Sequence, residues 1–227
     1  MRKITTLLLF LIFFPINLLA EDWIFLEPDK ELIKSVVTLS RSETIDGGTR
    51  IHSVTGVIVD KTDKVASNNE EYFLGKILTC EHIEGDELDV RFWNGKTSKG
   101  RSISKNREDD LMVLSAYLHK DTISVEILDK TNPYGIVYGM GGEAKGPPSL
   151  DKIRVYGGNR IGPETNRYYL DAKSINGDSG SPVFYNNKLC GIVSGGMTIF
   201  DREDGNGQYV WPLRTATIKT IKKILNE

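Results

Sequence analysis

Residues 176–182 read Asn-Gly-Asp-Ser-Gly-Ser-Pro and are followed by the strand-like pair Val183-Phe184. A serine set between glycine and other small residues in a tight turn exposes its hydroxyl and turns consecutive backbone N–H groups toward one point. Donors arranged in this way stabilise the oxyanion that forms during acyl transfer. The stretch therefore predicts Ser179 as a nucleophile, with the N–H groups of Gly177 and Ser179 forming an oxyanion hole.

A serine hydroxyl is a weak nucleophile at neutral pH and needs a base beside it. The chain contains three histidines, His52, His82 and His119. His82 follows the apolar stretch Ile77-Leu-Thr-Cys80, so the end of a predicted strand would present its imidazole on a rigid scaffold. His52 lies within an alternating strand and His119 lies in a turn next to Lys120, and we interpret both as ordinary strand or surface residues. His82 is thus the predicted general base.

The histidine in turn needs a buried carboxylate that fixes its tautomer and stabilises its charged form. Asp110 stands immediately before the apolar stretch Leu111-Met-Val-Leu114, and Asp109 is the alternative by one position. Since side chains alternate along a strand, only one of the two carboxylates is expected to point toward His82.

The order of these residues along the chain excludes one class of hydrolase. All three histidines precede Ser179, whereas an α/β-hydrolase places its histidine after the serine. Ser181 also stands where the α/β-hydrolase motif requires glycine. The order His, Asp, Ser is the one found in chymotrypsin-type double barrels.

Short strands separated by turn residues make up most of the sequence. In the stretch Glu87-Leu-Asp-Val-Arg-Phe92, Leu88, Val90 and Phe92 alternate with charged residues, as expected for a strand with one buried face. Only residues 215–227 have helical periodicity, with isoleucine and leucine at three- and four-residue steps. The pattern predicts an all-β fold with one C-terminal helix packed on its surface.

The first twenty residues resemble a secretory signal peptide. Arg2 and Lys3 precede the apolar run Leu7–Phe14, and Ala20 is a small residue before polar sequence. We expect cleavage after Ala20 and a secreted or periplasmic protein formed by one domain over residues 21–227. An uncleaved membrane anchor is the alternative; after signal removal we expect no stable membrane anchor.

Composition and motifs argue against several classes of partner and cofactor. The chain of 227 residues has 29 basic and 31 acidic side chains and a net charge of −2, which argues against nucleic acid or an anionic membrane as a partner. The histidines are scattered, no His-Glu-x-x-His occurs, and residues 201–207 lack the spacing of a calcium loop, so we expect no metal or other cofactor. Cys80 and Cys190 are the two cysteines, and the sequence leaves open a disulfide or two buried thiols.

Three motifs together resemble a known family. Leu78-Thr-Cys-Glu-His82 is similar to the Leu-Thr-Ala-Ala-His block of trypsin-like serine proteases. Asp110-Leu-Met-Val-Leu114 is similar to their Asp-Leu-Ala-Leu-Leu, and Gly177-Asp-Ser-Gly-Ser-Pro182 to their Gly-Asp-Ser-Gly-Gly-Pro. The resemblance covers residues 36–213, and it is greater to secreted and periplasmic bacterial members, such as the glutamyl endopeptidases, than to the animal digestive enzymes.

This resemblance implies a chymotrypsin-like fold of two six-stranded antiparallel β-barrels. The first barrel would span about residues 30–125, the second about 130–213, and the helix 215–227 would follow. The catalytic residues would be His82 and Asp110 from the first barrel and Ser179 from the second. The resemblance also implies that Ser194 supports Asp110. The substrate-binding walls implied by the family are Lys173, Ser174, Asn176, Ser194, Gly195 and Gly196.

Several departures from the family bear on specificity and activation. Val193 stands where the glutamyl endopeptidases carry a histidine, and no Ile-Val-Gly-Gly start follows the expected signal. A cationic Lys173 pointing into the pocket would favour acidic residues, whereas a solvated Lys173 would have no such role. The sequence thus predicts an exported serine endopeptidase acting on protein or peptide substrates, and the alternative is a dormant or inactive protease-fold binding module.

Overall fold

The computed structural model describes residues 30–66, 72–129, 137–141, 154–158, 160–161, 167–170, 177–201 and 208–226. The expected signal peptide, residues 1–20, lies outside these ranges, so the structure does not bear on it. In the described part of the chain, no helix is both long enough and apolar enough to cross a membrane.

The first half of the chain forms a closed barrel of six antiparallel strands in the order β1-β2-β3-β6-β5-β4. The strands are β1 (Val36–Ile45), β2 (Gly48–Ala66), β3 (Tyr72–Thr79), β4 (Glu87–Phe92), β5 (Thr97–Asn106) and β6 (Leu111–His119). A 3-10 helix over Lys30–Ser35 leads into β1, and a single 3-10 turn over Glu81–Ile83 follows β3. The barrel confirms the fold predicted for this half of the chain.

Strand β4 shows how the sequence pattern builds the barrel. Leu88, Val90 and Phe92 are buried, while the charged residues between them are exposed. The inward side chains pack with those of β1, β3 and β6 into one apolar cluster. Loss of a fully buried aromatic side chain such as Phe92 costs about 3–5 kcal/mol of stability. Because a slip of one residue would move all three buried side chains to the exposed face, this alternation fixes the register of the strand.

The second half forms a seven-stranded antiparallel sheet in the order β8-β7-β11-β12-β13-β10-β9. Its strands are β7 (Val137–Gly141), β8 (Arg154–Gly158), β9 (Arg160–Ile161), β10 (Arg167–Leu170), β11 (Pro182–Tyr185), β12 (Lys188–Asp201) and β13 (Gln208–Ala216). The chymotrypsin-like all-β fold is confirmed. The second unit nevertheless has seven described strands in place of the six expected, because the two-residue strand β9 pairs with β10 at the sheet edge.

Helix α1 (Ile218–Leu225) closes the described chain. It begins three residues later than the sequence predicted, because residues 214–216 continue β13 and pair with β12. Thr217 caps the helix: its hydroxyl accepts a hydrogen bond from the Thr220 backbone N–H, and the Thr220 hydroxyl bonds the Thr217 N–H. The buried isoleucines 218, 221 and 224 confirm the predicted apolar face.

The two cysteines belong to different apolar clusters. Cys80 is completely buried inside the six-stranded barrel, and Cys190 is buried in the core of the second sheet. Neither takes part in a disulfide. Of the two alternatives that the sequence left open, the structure therefore has the pair of buried thiols.

Candidate active site

His82 and Asp110 form a close pair at one end of the barrel. His82 Nδ1 lies 2.8 Å from Asp110 Oδ2 and 3.1 Å from Oδ1, and the His82 backbone N–H donates to Oδ1 at 2.9 Å. The 3-10 turn that follows β3 holds the imidazole, and the turn that precedes β6 holds the carboxylate. This geometry orients the imidazole with Nδ1 toward the acid, which is the arrangement that makes Nε2 a proton acceptor.

Asp110 reaches His82 because its backbone adopts an unusual conformation. Its φ angle is +55°, in the left-handed region where aspartate is among the few residues tolerated. Its neighbour Asp109 is also buried, but accepts a hydrogen bond from Asn106 Nδ2 at 3.0 Å within the same turn. Asp110 is thus the carboxylate that pairs with His82, while Asp109 stabilises the turn.

The environment of His82 strongly favours its charged form. Hydrogen bonding to Asp110 is the largest cause, contact with Cys80 adds to it, and together they raise the pKa of His82 from 6.5 to about 10. Burial opposes this shift, but the side chain remains 45% exposed. In this arrangement the imidazole holds its proton at neutral pH.

The second ring nitrogen of His82 faces a thiol. His82 Nε2 lies 3.6 Å from Cys80 Sγ. Within the described ranges, no hydrogen bond joins His82 to the Ser179 hydroxyl, so the structure brings His82 and Asp110 together but leaves Ser179 unpaired with them.

The turn that carries Ser179 is attached to the barrel through Thr55 on β2. The Thr55 N–H donates to the Ser179 carbonyl at 2.8 Å, and its hydroxyl donates to the Gly177 carbonyl at 2.9 Å. Thr79, three residues before His82, donates its hydroxyl to the Thr55 carbonyl at 2.7 Å. These buried bonds place the serine turn against the same end of the barrel that holds His82.

Gly180 is required where the turn touches the barrel. Its φ is +78°, and a Cβ atom there would overlap the Thr55 carbonyl oxygen and the Thr79 hydroxyl. The Gly180 N–H donates to the Val193 carbonyl at 2.7 Å, and the Val193 N–H donates back to Ser181. Both the conformation and the close approach exclude a side chain at this position.

The predicted oxyanion donors lie in the same turn. Gly177 has a φ of +102° and is buried, and Ser179 is half-buried. No backbone carbonyl in the described segments accepts a hydrogen bond from the N–H of either residue.

Arg214 on β13 is a site residue that the sequence did not reveal. Its Nε donates to Ser194 Oγ at 3.1 Å, its Nη2 donates to the Ser194 carbonyl at 3.0 Å, and Nη2 lies 3.8 Å from Asp110 Oδ2. The Ser194 hydroxyl, expected to support Asp110, instead donates to the Arg214 carbonyl at 3.4 Å. The guanidinium thus contacts both Ser194 and the carboxylate of Asp110.

The other candidate residues fall into three groups. His52 pairs with Glu43 on the first hairpin, and His119 lies at the far end of β6, roughly 26 Å along the strand from Leu111. Gly195, with φ +128°, and Gly196 continue β12 beyond Ser194. The three remaining pocket residues, Lys173, Ser174 and Asn176, lie outside the described residues.

The sequence did not reveal the roles of Thr55 and Thr79 either, because a threonine inside a strand pattern gives no sign that its hydroxyl makes a buried hydrogen bond. A search of the described residues for a cluster of three or more histidine, cysteine or acidic side chains able to hold a metal ion finds none.

Comparison with known proteins supports the fold. The crystal structure of the serine endoprotease from Yersinia pestis is similar, with a TM-score of 0.61 at 21% sequence identity. The match covers 86% of this chain and 63% of that protein, so this chain spans less than two thirds of its length. No protein-family model and no curated protein matches the sequence. At this identity the similarity shows a protease-like fold.

Proposed function

We propose that this protein is an exported serine endopeptidase that hydrolyses peptide bonds through an acyl-enzyme on Ser179. The observation that carries the proposal is the Asp110–His82 pair, built at the same end of the barrel to which Thr55 and Thr79 attach the serine turn. A serine nucleophile needs an oriented base beside its hydroxyl, and the Asp110–His82 pair would supply it.

In the proposed first step, Ser179 Oγ attacks the carbonyl carbon of the substrate and His82 Nε2 takes the hydroxyl proton. Asp110 holds the imidazole and stabilises its positive charge. The N–H groups of Gly177 and Ser179 donate to the oxyanion of the tetrahedral intermediate. Collapse breaks the C–N bond, and His82 returns the proton to the leaving amine.

In the second step, water gives a proton to His82 and attacks the acyl ester. The ester C–O bond then breaks, which releases the new carboxyl terminus, and His82 reprotonates Ser179. The segment from Ser194 to Gly196 is the proposed edge for an extended substrate, because backbone pairing to a strand gives affinity regardless of side chain. Lys173, Ser174 and Asn176 remain candidates for the opposite wall.

Labelling with a fluorophosphonate probe tests the assignment of the nucleophile. The wild-type protein is expected to gain one phosphonyl group, mapped by peptide mass spectrometry to Ser179. The Ser179→Ala variant is the matched control and is expected to take no label. A folded wild-type protein without a label at Ser179 would contradict the enzymatic function and favour a protease-fold binding module.

Export is proposed from the sequence of residues 1–20 alone. The test is the amino-terminal sequence of the protein recovered outside the cytoplasm of an expressing bacterium. A start at Glu21 supports export and cleavage, whereas intact protein that stays with the membrane fraction supports the uncleaved anchor.

One observation favours a second candidate, a dormant protease. His82 Nε2 lies 3.6 Å from Cys80 Sγ, so the thiol competes with Ser179 for this ring nitrogen. A dormant enzyme would take the phosphonate label slowly and cleave no peptide until a substrate or partner turns the ring. Replacement of the thiol in Cys80→Ala would then accelerate labelling, whereas an always-competent enzyme would label at the same rate with or without the thiol.

A further inference from the structure

Glu81 is a nearly buried acid beside the proposed catalytic histidine. It opens the 3-10 turn Glu81–Ile83 that holds His82, at the position where the trypsin-like block Leu-Thr-Ala-Ala-His has alanine. Its side chain is 12% exposed, and its carboxylate oxygen Oε1 accepts a hydrogen bond from Arg107 Nε at 3.2 Å. A carboxylate that is largely removed from water is costly unless a partner offsets its charge, and Arg107 supplies that partner.

Arg107 belongs to the turn that carries Asp110. This turn, residues 107–110, connects β5 to β6, and the Asp110 N–H donates to the Arg107 carbonyl oxygen at 3.3 Å. The ion pair of Glu81 with Arg107, 26 residues apart in the chain, therefore joins the same two turns that bring His82 to Asp110. It is a second link between these turns, separate from the hydrogen bond of the histidine ring to the carboxylate.

Backbone hydrogen bonds alone hold Asp110 weakly. Its φ of +55° lies in a backbone region that aspartate adopts only with some strain. Two backbone hydrogen bonds restrain the residue, from the Asp110 N–H to the Arg107 carbonyl and from the Glu81 N–H to the Asp110 carbonyl. Each measures 3.3 Å, at the long end of the usual range. A side-chain ion pair between the same two turns adds a restraint where the backbone bonds are weak.

We propose that Arg107 is a positioning residue: through Glu81 it holds the histidine turn against the turn of Asp110 and keeps their hydrogen bond aligned for proton transfer. The inference rests on the proposed endopeptidase function and deepens it. In the described part of the chain, the guanidinium makes no hydrogen bond to His82 or Ser179, so Arg107 acts through Glu81 and not on the reacting atoms. Because Arg107 is 87% exposed, loss of the pair is expected to disturb the alignment without unfolding the protein.

The pKa of His82 tests the positioning, because alignment and charge predict opposite changes. The hydrogen bond to Asp110 is the largest cause of the raised pKa, so a loosened bond in Arg107→Met is expected to weaken proton binding roughly 3-fold to 10-fold, or about 0.5–1 pH unit. Removal of a cation alone would instead raise the pKa. Cys80, the other group that raises the pKa, is unchanged in this variant. NMR titration of the histidines separates the two effects, and a pKa that rises or stays unchanged would overturn the inference.

Lys99→Met is the matched control for the titration. Lys99 Nζ lies 2.8 Å from Asp89 Oδ1 on the neighbouring strand, so this variant also removes a cation from an ion pair but touches neither of the two turns. The pKa of His82 in Lys99→Met is expected to match the wild-type value. His52, which pairs with Glu43 on the first hairpin, serves as an internal reference in every spectrum. An equal fall in the pKa of His82 in both variants would contradict a specific role of Arg107.

A double-mutant cycle measured on kcat tests whether Arg107 and Glu81 act as one unit. Arg107→Met and Glu81→Met are each expected to lower kcat roughly 3-fold to 10-fold with little change in KM, and the double variant is expected to lose no more. Active sites are counted by phosphonate labelling, so that a smaller folded fraction does not pass for a slower enzyme. Losses that multiply in the double variant would show two independent residues and overturn the inference.

The conservative variant Glu81→Gln completes the series. Its side-chain oxygen can still accept a hydrogen bond from Arg107 Nε, so it is expected to keep more activity than Glu81→Met, which has a side chain of similar length without an acceptor. Equal losses in these two variants would contradict the inference. Wild-type protein that takes no phosphonate label would instead overturn the proposed function, whereas the histidine titration needs no activity and still decides whether Arg107 aligns the pair.

Discussion

The carbonyl oxygen of Ser179 accepts a hydrogen bond from the backbone N–H of Thr55 at 2.8 Å. Ser179 belongs to the second sheet and Thr55 to β2 of the barrel, so this bond joins the two halves of the molecule at the proposed nucleophile. Thr79, the last residue of β3, extends the connection toward His82 in the turn that follows. The position of Ser179 relative to His82 therefore depends on a few buried hydrogen bonds.

The two adjacent aspartates are expected to respond differently to substitution. Asp110→Asn leaves the shape of the site but removes the charge that stabilises protonated His82, and is expected to lower kcat roughly ten-thousand-fold. Asp109→Ala removes the partner of Asn106 and is expected to cost about 1 kcal/mol of stability with a small change in kcat. Steady-state kinetics and urea unfolding of both variants check this contrast, and equal loss of activity in the two would refute the assignment.

Stability is expected to fall as His82 loses its proton. The pKa of His82 is raised to about 10 in the folded protein from 6.5, so its contribution is fully present below pH 6.5 and is lost as the pH rises through about 10. The difference in the free energy of unfolding between wild type and His82→Gln should therefore become smaller as the pH rises over this range. A difference that does not change with pH would show that the folded protein leaves His82 unperturbed.

Catalysis is expected to show the opposite dependence on pH. Only neutral His82 accepts the proton of Ser179, so kcat/KM should rise with pH into the alkaline range. Cys80→Ala removes one of the two contacts that raise the pKa, and should move this rise toward neutral pH. Histidine NMR titration of both proteins, with kcat/KM profiles alongside, provides the measurement. An unchanged midpoint in Cys80→Ala would exclude the thiol as a cause of the shift.

Gly180 offers a test of how the serine turn is attached. Gly180→Ala must place a methyl group against Thr55 and Thr79 in addition to adopting a positive φ, so it is expected to cost about 3 kcal/mol or more and to abolish labelling of Ser179. Gly95 is the matched control, because it has a φ of +80° with open space around it. Gly95→Ala is expected to cost about 1–2 kcal/mol and to keep the label.

The sequence predicted the features that depend on local pattern. Alternation in residues 87–92 located β4 and its buried face, and the isoleucine spacing located α1. Both predictions use neighbours in the chain, whose geometry the secondary structure fixes. The pairing of His82 with Asp110, 28 residues apart, was predicted instead from the resemblance of their motifs to a known family.

The sequence could not predict contacts between distant segments. The choice between Asp109 and Asp110 depended on the left-handed backbone of Asp110, which strand alternation does not describe. Arg214 and Ser194 meet through the pairing of β12 with β13 and the direction of a long side chain. The contact between Cys80 Sγ and His82 Nε2 depends on the 3-10 turn after β3, which folds His82 back toward that strand.

The most direct test of the central claim is the hydrolysis of an unfolded protein substrate by wild type, by Ser179→Ala, by His82→Ala and by the double variant, with cleavage followed by mass spectrometry. The account predicts specific cleavage by the wild type, a loss of roughly a thousand-fold or more in each single variant, and little further loss in the double variant, since the two residues act as one unit. Cleavage by Ser179→Ala at the wild-type rate, or no cleavage by any of the four proteins, would contradict it.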